Sequence, residues 1–334
     1  MGSTAPRPGV RVAFAGAFAG AFVDRVRAHL AIPCEVVVTD ETAVVSRMRE
    51  VEVLVTLAFT REMGDAAGRL RLVQVPGAGL DRIDRSALPR GAWLANAYGH
   101  ETGIAEYVLG AMLSWTCGFC RLDENLRRGN WGGSGMVSAL PRADLSGKVL
   151  GILGYGRIGR CVAQRAQALG MAVHAVRQTP GYHDPAGLAF LGGPDWLDAI
   201  LARADYLVIA LPLVASTRGL LGARELELMK RTAVLINVAR AEIAQEEALY
   251  RALARRTIAG AVLDVWYRYP RGPAPTLPAH CAFHELPNVL MTPHVAGWTE
   301  GTLEARARLI AENILRVARG EAPANMIAGP DELR

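Results

Sequence analysis

The chain has 334 residues, 51% of them hydrophobic and 21% charged, with 37 Lys and Arg against 32 Asp and Glu. That is length for two domains of ordinary size and too much apolar side chain for a disordered polymer. The net charge of +5 does not make it a nucleic-acid binder, because the only lysines are Lys148 and Lys230 and the scattered arginines are interleaved with acids; such a surface suits small anions.

No stretch approaches the eighteen or so apolar residues of a membrane span. Val10 to Val23 is apolar and small, but Arg11 interrupts it, and it reads as a strand running into a helix rather than as a signal peptide. Five cysteines at irregular positions argue against a disulfide framework and fit a cytoplasmic protein. Cys117 and Cys120 form a C-x-x-C pair within a helical pattern from Ala105 to Arg127, with no second pair or suitably spaced histidine nearby. They read as two helix residues rather than as a redox or zinc site.

From residue 11 to 100, short apolar runs alternate with helical stretches. The runs are Val12–Ala15, Cys34–Val38, Val53–Thr56, Leu72–Gln74 and Ala92–Asn96, with helical character over Ala43–Val51 and Met63–Arg69. This alternation predicts a parallel sheet with helices on its faces. Gly77-Ala78-Gly79 follows the fourth run, where a parallel sheet presents its ligands; it is either an anion-binding loop of backbone N–H groups or a tight turn. A long helix begins near Thr102, is broken by Gly129 to Gly133, and gives way to an irregular segment up to Lys148.

There a second alternation begins, with runs Val149–Leu153, Ala172–Val176, Tyr206–Ile209, Ala233–Asn237, Gly260–Asp264 and Val289–Met291. Gly154, Gly156 and Gly159 follow the first of these as G-x-G-x-x-G, and Cys161 to Leu169 then has helical character. The spacing has a mechanism: one glycine turns the chain, one lets backbone approach a pyrophosphate, and one lets helix and strand pack closely. Six parallel strands with interleaved helices make a complete doubly wound nucleotide domain. A last helical stretch runs from Leu303 to Arg319.

With its segments placed, the chain resembles the D-isomer-specific 2-hydroxyacid dehydrogenases, from about residue 50 to 320. The matching stretches are Val75 to Asp81, Gly147 to Gly159, Ala210-Leu211-Pro212-Leu213, Ile236 to Arg240, Leu263-Asp264-Val265, and Pro287-Asn288-Val289 with Thr292-Pro293-His294. The resemblance implies two doubly wound α/β domains, a Rossmann nucleotide domain (103–297) inserted into a flavodoxin-like substrate domain (1–102 and 298–334). It further implies a homodimer joined through the nucleotide domain and residues 103–145.

Carried over, Arg240 binds and polarises the substrate and His294 transfers the proton. Gly77, Ala78 and Gly79 take its carboxylate through backbone amides. Gly154, Gly156, Arg157, Ile158, Gly159, Leu211, Pro212 and Val238 hold the dinucleotide, Asp264 holds the nicotinamide carboxamide, and Glu246 is structural. The position of both Arg240 and His294 just after a strand supports their roles on grounds of topology.

Two departures follow from the same resemblance. The carboxylate that orients the histidine belongs five positions after Asp264, where Tyr269 stands. A phenol can orient an imidazole by a hydrogen bond but carries no charge near neutral pH, so the pH optimum for reduction is expected to move down; Glu285 or Glu300 are alternative sources of the missing charge. The strand Ala172–Val176 ends in Arg177-Gln178-Thr179 where NAD-specific sites carry an acid, which points to NADP(H) over NAD(H). The expected activity is reduction of a small 2-oxo acid such as glyoxylate or hydroxypyruvate. The alternatives are phosphite or phosphonate oxidation within the same family, and a corepressor-like nucleotide sensor with little turnover.

Overall fold

Short runs of β-branched and small apolar residues form strands that are covered on both faces, as parallel sheets require. The structure is a computed structural model of the chain and describes residues 9–132, 134, 141–179, 187–270, 272 and 274–329. In chain order its strands are β1 (Val10–Ala15), β2 (Cys34–Thr39), β3 (Val53–Thr56), β4 (Leu72–Gln74), β5 (Trp93–Ala95), β6 (Val149–Leu153), β7 (Ala172–Val176), β8 (Phe190–Gly192), β9 (Tyr206–Ile209), β10 (Val234–Asn237), β11 (Gly260–Leu263), β12 (Val289–Met291) and β13 (Met326–Ala328). Its α-helices are α1 (Ala17–Gly20), α2 (Val23–His29), α3 (Arg61–Ala66), α4 (Glu101–Cys117), α5 (Phe119–Arg127), α6 (Arg157–Ala168), α7 (Leu197–Arg203), α8 (Ala223–Leu228), α9 (Glu246–Ala254) and α10 (Glu300–Ala318).

The chain divides into two units, Met1–Gly99 with Glu300–Arg334, and His100–Thr299. The first carries a sheet ordered β13-β5-β4-β3-β1-β2, parallel except for the antiparallel edge strand β13. The second carries an all-parallel sheet ordered β12-β11-β10-β9-β6-β7-β8. In the second sheet the order reverses beside β6, and that reversal opens a crevice at the carboxyl ends of β6 and β9. Strands β9, β10 and β11 are buried along their whole length, whereas the edge strand β2 is not.

Four local features differ from the sequence reading. Strands β8 and β13 are additional; each has three residues and pairs at the edge of its sheet. The pattern from Ala105 to Arg127 is two helices, because Gly118 adopts φ +65° and ends α4 in a left-handed cap. Cys117 therefore closes α4 while Cys120 lies in α5. Only Ala43–Arg47 of the Ala43–Val51 stretch is helical, as a 3₁₀ segment.

Helix α10 places Leu303, Ala307, Ile310, Ile314 and Val317 at helical spacing into the core of the first unit, against Phe14, Phe22 and Val26. Buried among them, Asn313 donates from Nδ2 to Gln74 Oε1 (2.7 Å) and to the Ala324 carbonyl (3.1 Å), and accepts from the Ala324 N–H (2.7 Å). One amide thus fastens β4, α10 and the approach to β13. Asn313→Ala is expected to destabilise this unit by about 2–4 kcal/mol, since it leaves buried partners unpaired. A denaturant midpoint within experimental error of the wild type would show that the network contributes nothing.

Candidate active site

The three glycines after β6 each answer to a different constraint. Gly154 has φ +102°, and a Cβ there would lie 2.6 Å from the Ala210 carbonyl oxygen at the end of β9. A Cβ on Gly159 would collide with the Gly154 carbonyl, so helix α6 can lie close to its strand only without one. At Gly156 nothing lies within 4 Å of the missing Cβ, which leaves room for a ligand at the N-terminus of α6. Arg157 and Ile158 stand in the first turn of that helix, where backbone N–H groups have no intrahelical acceptor. Leu211 and Pro212 follow β9, and Val238 follows β10, so all of these residues share one end of the sheet.

Beside them, Leu153, Val176, Arg177, Leu197, Leu211 and Thr217 line a largely apolar cavity of about 230 Å³. Arg177 stands directly after β7, and its backbone N–H donates to the Gly192 carbonyl. Its Nε is buried and has no hydrogen-bond partner among the described residues. An apolar cavity with an orphaned guanidinium donor in its lining can hold an apolar ring and an anionic group.

Three successive strands of this sheet, β10, β11 and β12, lead into the segments that carry Arg240, Tyr269 and His294. Asn237 shapes the first segment: its Oδ1 accepts from the Ala239 N–H (3.0 Å) and its Nδ2 donates to the Arg240 carbonyl (2.9 Å). Arg240, half-buried, donates from Nη1 to the Ala239 carbonyl (2.8 Å).

The third segment is held by Asp264, which is 1% exposed. Its Oδ1 accepts from Thr292 Oγ1 (2.6 Å) and the Val295 N–H (2.8 Å), and its Oδ2 from the Ala296 N–H (2.8 Å). Tyr107 donates its hydroxyl to Thr292 Oγ1 (2.6 Å), and Trp266 Nε1 donates to the Thr292 carbonyl (2.7 Å). These bonds bracket His294, whose φ of +59° lies in the left-handed region that side chains seldom adopt. Such a residue costs roughly 1–3 kcal/mol and persists only where its surroundings over-determine it. Most of the carboxylate's acceptor capacity is thus spent on the protein, and the role the sequence suggested for Asp264, toward a carboxamide, falls to what remains.

His294 is solvent-exposed, and its Nδ1 lies 2.7 Å from Tyr269 Oη. The same oxygen accepts from the Trp266 N–H (3.3 Å). Desolvation of the hydroxyl pushes the Tyr269 pKa up from that of a free phenol, against a downward pull from the nearby Arg240 charge. The phenol is therefore neutral through the working range. Of the alternative acids, Glu285 lies beside His284 (3.8 Å), and Glu300 belongs to the other unit, where it pairs with Arg25 (2.7 Å).

In the first unit, the loop after β4 keeps its amides available. Gly77 is buried, Ala78 and Gly79 are half-buried, and a Cβ on Gly77 would meet only Leu57 Cδ2 at 3.9 Å. Glu246, at the start of α9, accepts from the His280 (2.5 Å) and Cys281 (2.8 Å) N–H groups. Its burial would raise the carboxyl pKa, but these bonds together hold it below the usual range, which suits a structural clamp. Sequence reading missed Asn237 and the Tyr107–Thr292–Asp264 chain. The polar residue closing an otherwise apolar strand was the one signal for the former; the latter joins residues far apart in sequence and left none.

A family model described as D-isomer specific 2-hydroxyacid dehydrogenase, NAD binding domain, matches residues 109–296. The chain is 33% identical over 292 residues to glyoxylate reductase of Thermococcus kodakarensis, covering 84% of each chain. It is 32% identical over 293 residues to D-3-phosphoglycerate dehydrogenase of Methanocaldococcus jannaschii, covering 85% of this chain and 53% of that one. The structure of an NADPH-dependent glyoxylate/hydroxypyruvate reductase of Sinorhizobium meliloti, in complex with NADP and malonate, superposes with TM-score 0.79 at 28% identity, covering 98% of this chain and 99% of the other. A protein of Thermus thermophilus superposes with TM-score 0.79 at 31% identity, covering 96% and 100%. Fold, glycine loop and these likenesses agree: the chain belongs to the D-isomer-specific 2-hydroxyacid dehydrogenases, NAD(P)-dependent oxidoreductases.

Proposed function

We propose that this enzyme reduces a small 2-oxo acid, glyoxylate or hydroxypyruvate in the first instance, and prefers NADPH. The observation that carries the reading is the clustering of Arg240, Tyr269 and His294 on three consecutive strand ends of one unit. The nicotinamide cofactor supplies the hydride. Gly77 to Gly79 hold the substrate carboxylate through backbone N–H groups. The Arg240 guanidinium pairs with the substrate and stabilises the negative charge that gathers on the carbonyl oxygen as it is reduced. His294 delivers the proton from Nε2, because its other nitrogen faces Tyr269.

Tyr269 changes the character of that proton transfer. It can donate to Nδ1 of the neutral ring or accept from Nδ1–H of the cation, so it orients both states. A carboxylate only accepts, and its charge favours the cation. Reduction needs the cation, so its rate is expected to fall at lower pH than it would with an acid at position 269. An enzyme that turns over is also favoured over a nucleotide sensor, since the residues that would perform catalysis are retained and tied together.

A second copy of the chain is the inferred partner. Helix α5 buries none of its residues, while Phe119 is 60% exposed, and Leu126 and Trp131 are exposed beside it. Solvent-facing aromatic and aliphatic side chains in one segment mark an association surface. Sedimentation velocity should return a dimer; a monomer across the micromolar range would remove this part of the proposal.

Absorbance at 340 nm with NADPH and a panel of 2-oxo acids tests the activity itself. His294→Ala and Arg240→Ala should each lower kcat/KM by about 100-fold or more; turnover surviving both changes would refute the assigned roles. Tyr269→Glu should move the alkaline limb of the reduction profile up by about one pH unit, and an unmoved limb would show that Tyr269 does not govern the histidine. Arg177→Ala should raise KM for NADPH about tenfold or more with little change for NADH. Equal losses with both nucleotides would place Arg177 elsewhere than at a 2′-phosphate.

A further inference from the structure

The geometry points to Asn96 as the positioning residue of the substrate-carboxylate loop. The inference deepens the reading that Gly77 to Gly79 bind that carboxylate, and rests on it. Asn96 directly follows β5, the neighbour of β4 in the first sheet, and is 1% exposed. Its Nδ2 donates to the Ala78 carbonyl (3.0 Å), and the next residue, Ala97, donates its N–H to the Gly77 carbonyl (3.0 Å). In a trans peptide the N–H points opposite to the C=O. Fixing these two carbonyls toward β5 therefore turns the N–H groups of Ala78 and Gly79 away from it. Neither N–H donates to any group among the described residues. Two adjacent amides aimed outward from one loop form a concavity for an anion.

Asn96 Oδ1 is buried and accepts no hydrogen bond among the described residues. A buried acceptor left unmet is costly, and a native chain keeps one where the rest of the group is needed. Here the Nδ2 donor is needed. Aspartate would set a charge against the Ala78 carbonyl, and an apolar side chain would leave that carbonyl unpaired and the peptide free to rotate. Asn96 touches no reacting atom in this scheme; it acts through the loop.

The holoenzyme with NADPH, assayed on glyoxylate and on its uncharged methyl ester, separates this role from a general structural one. The wild type is expected to prefer the acid. In Asn96→Asp and Asn96→Ala the ratio of kcat/KM for acid over ester should fall about tenfold or more, the loss lying mainly in KM for glyoxylate, as expected when a hydrogen bond to a charged group is misaligned. Thermal melts establish which variants are folded, and Asn96→Ala serves if the buried charge of Asn96→Asp prevents folding. A folded variant that keeps the wild-type ratio, or loses acid and ester equally, overturns the role of Asn96 alone. A wild type that turns over both without preferring the acid overturns the carboxylate loop itself, and the inference with it.

Discussion

One buried carboxylate, Asp264, fixes the segment that carries His294, the proposed proton-transfer group. Three donors from residues 292 to 296 converge on it, and between them His294 is held in a left-handed conformation. Hydrogen bonds to a charged acceptor contribute about 1.5–3 kcal/mol each, more than enough together to offset the roughly 1–3 kcal/mol of backbone strain. Held in this conformation, His294 is exposed to solvent. Without the carboxylate, the segment after β12 would lose three of the hydrogen bonds that fix its path.

The same device recurs at other strand ends. Asn237, the last residue of β10, shapes the turn that presents Arg240. Asn96, just after β5, fixes the carbonyls of the loop after β4. In each case a strand that is apolar along its length closes on a short polar side chain that bonds backbone instead of solvent. Parallel strands end in register, so a side chain at one end is within reach of its own turn or of the neighbouring loop. The sheet supplies rigidity, and the terminal polar residue converts it into the orientation of one functional segment.

Tyr269 gives this site a different electrostatic balance from one with an acid beside the histidine. The phenol keeps geometry and gives up charge, so the imidazole is oriented without being held as a cation. Around the phenol, Arg240 supplies a positive charge and Asp264 and Glu242 supply negative ones. The orphaned Nε of Arg177, directly after β7, is the observation behind the proposed 2′-phosphate contact.

Sequence by itself determined the class of fold, the glycine loop and the strand ends from which Arg240 and His294 emerge. Those features are local: a buried parallel strand needs a continuous apolar run, and a close helix–strand contact needs glycine at fixed spacing. It also showed that position 269 holds a phenol and position 177 a guanidinium. It did not show β8 or β13, edge strands that exist because a neighbouring strand offers unpaired edge groups. Nor did it show that Gly118 divides a long helix, or that Asp264 spends most of its acceptors on the His294 turn. Tertiary structure decided what each polar side chain is bonded to, because those partners lie up to 275 residues away, as for Arg25 and Glu300. A hydrogen bond depends on distance and direction in space, and no spacing along the chain encodes either.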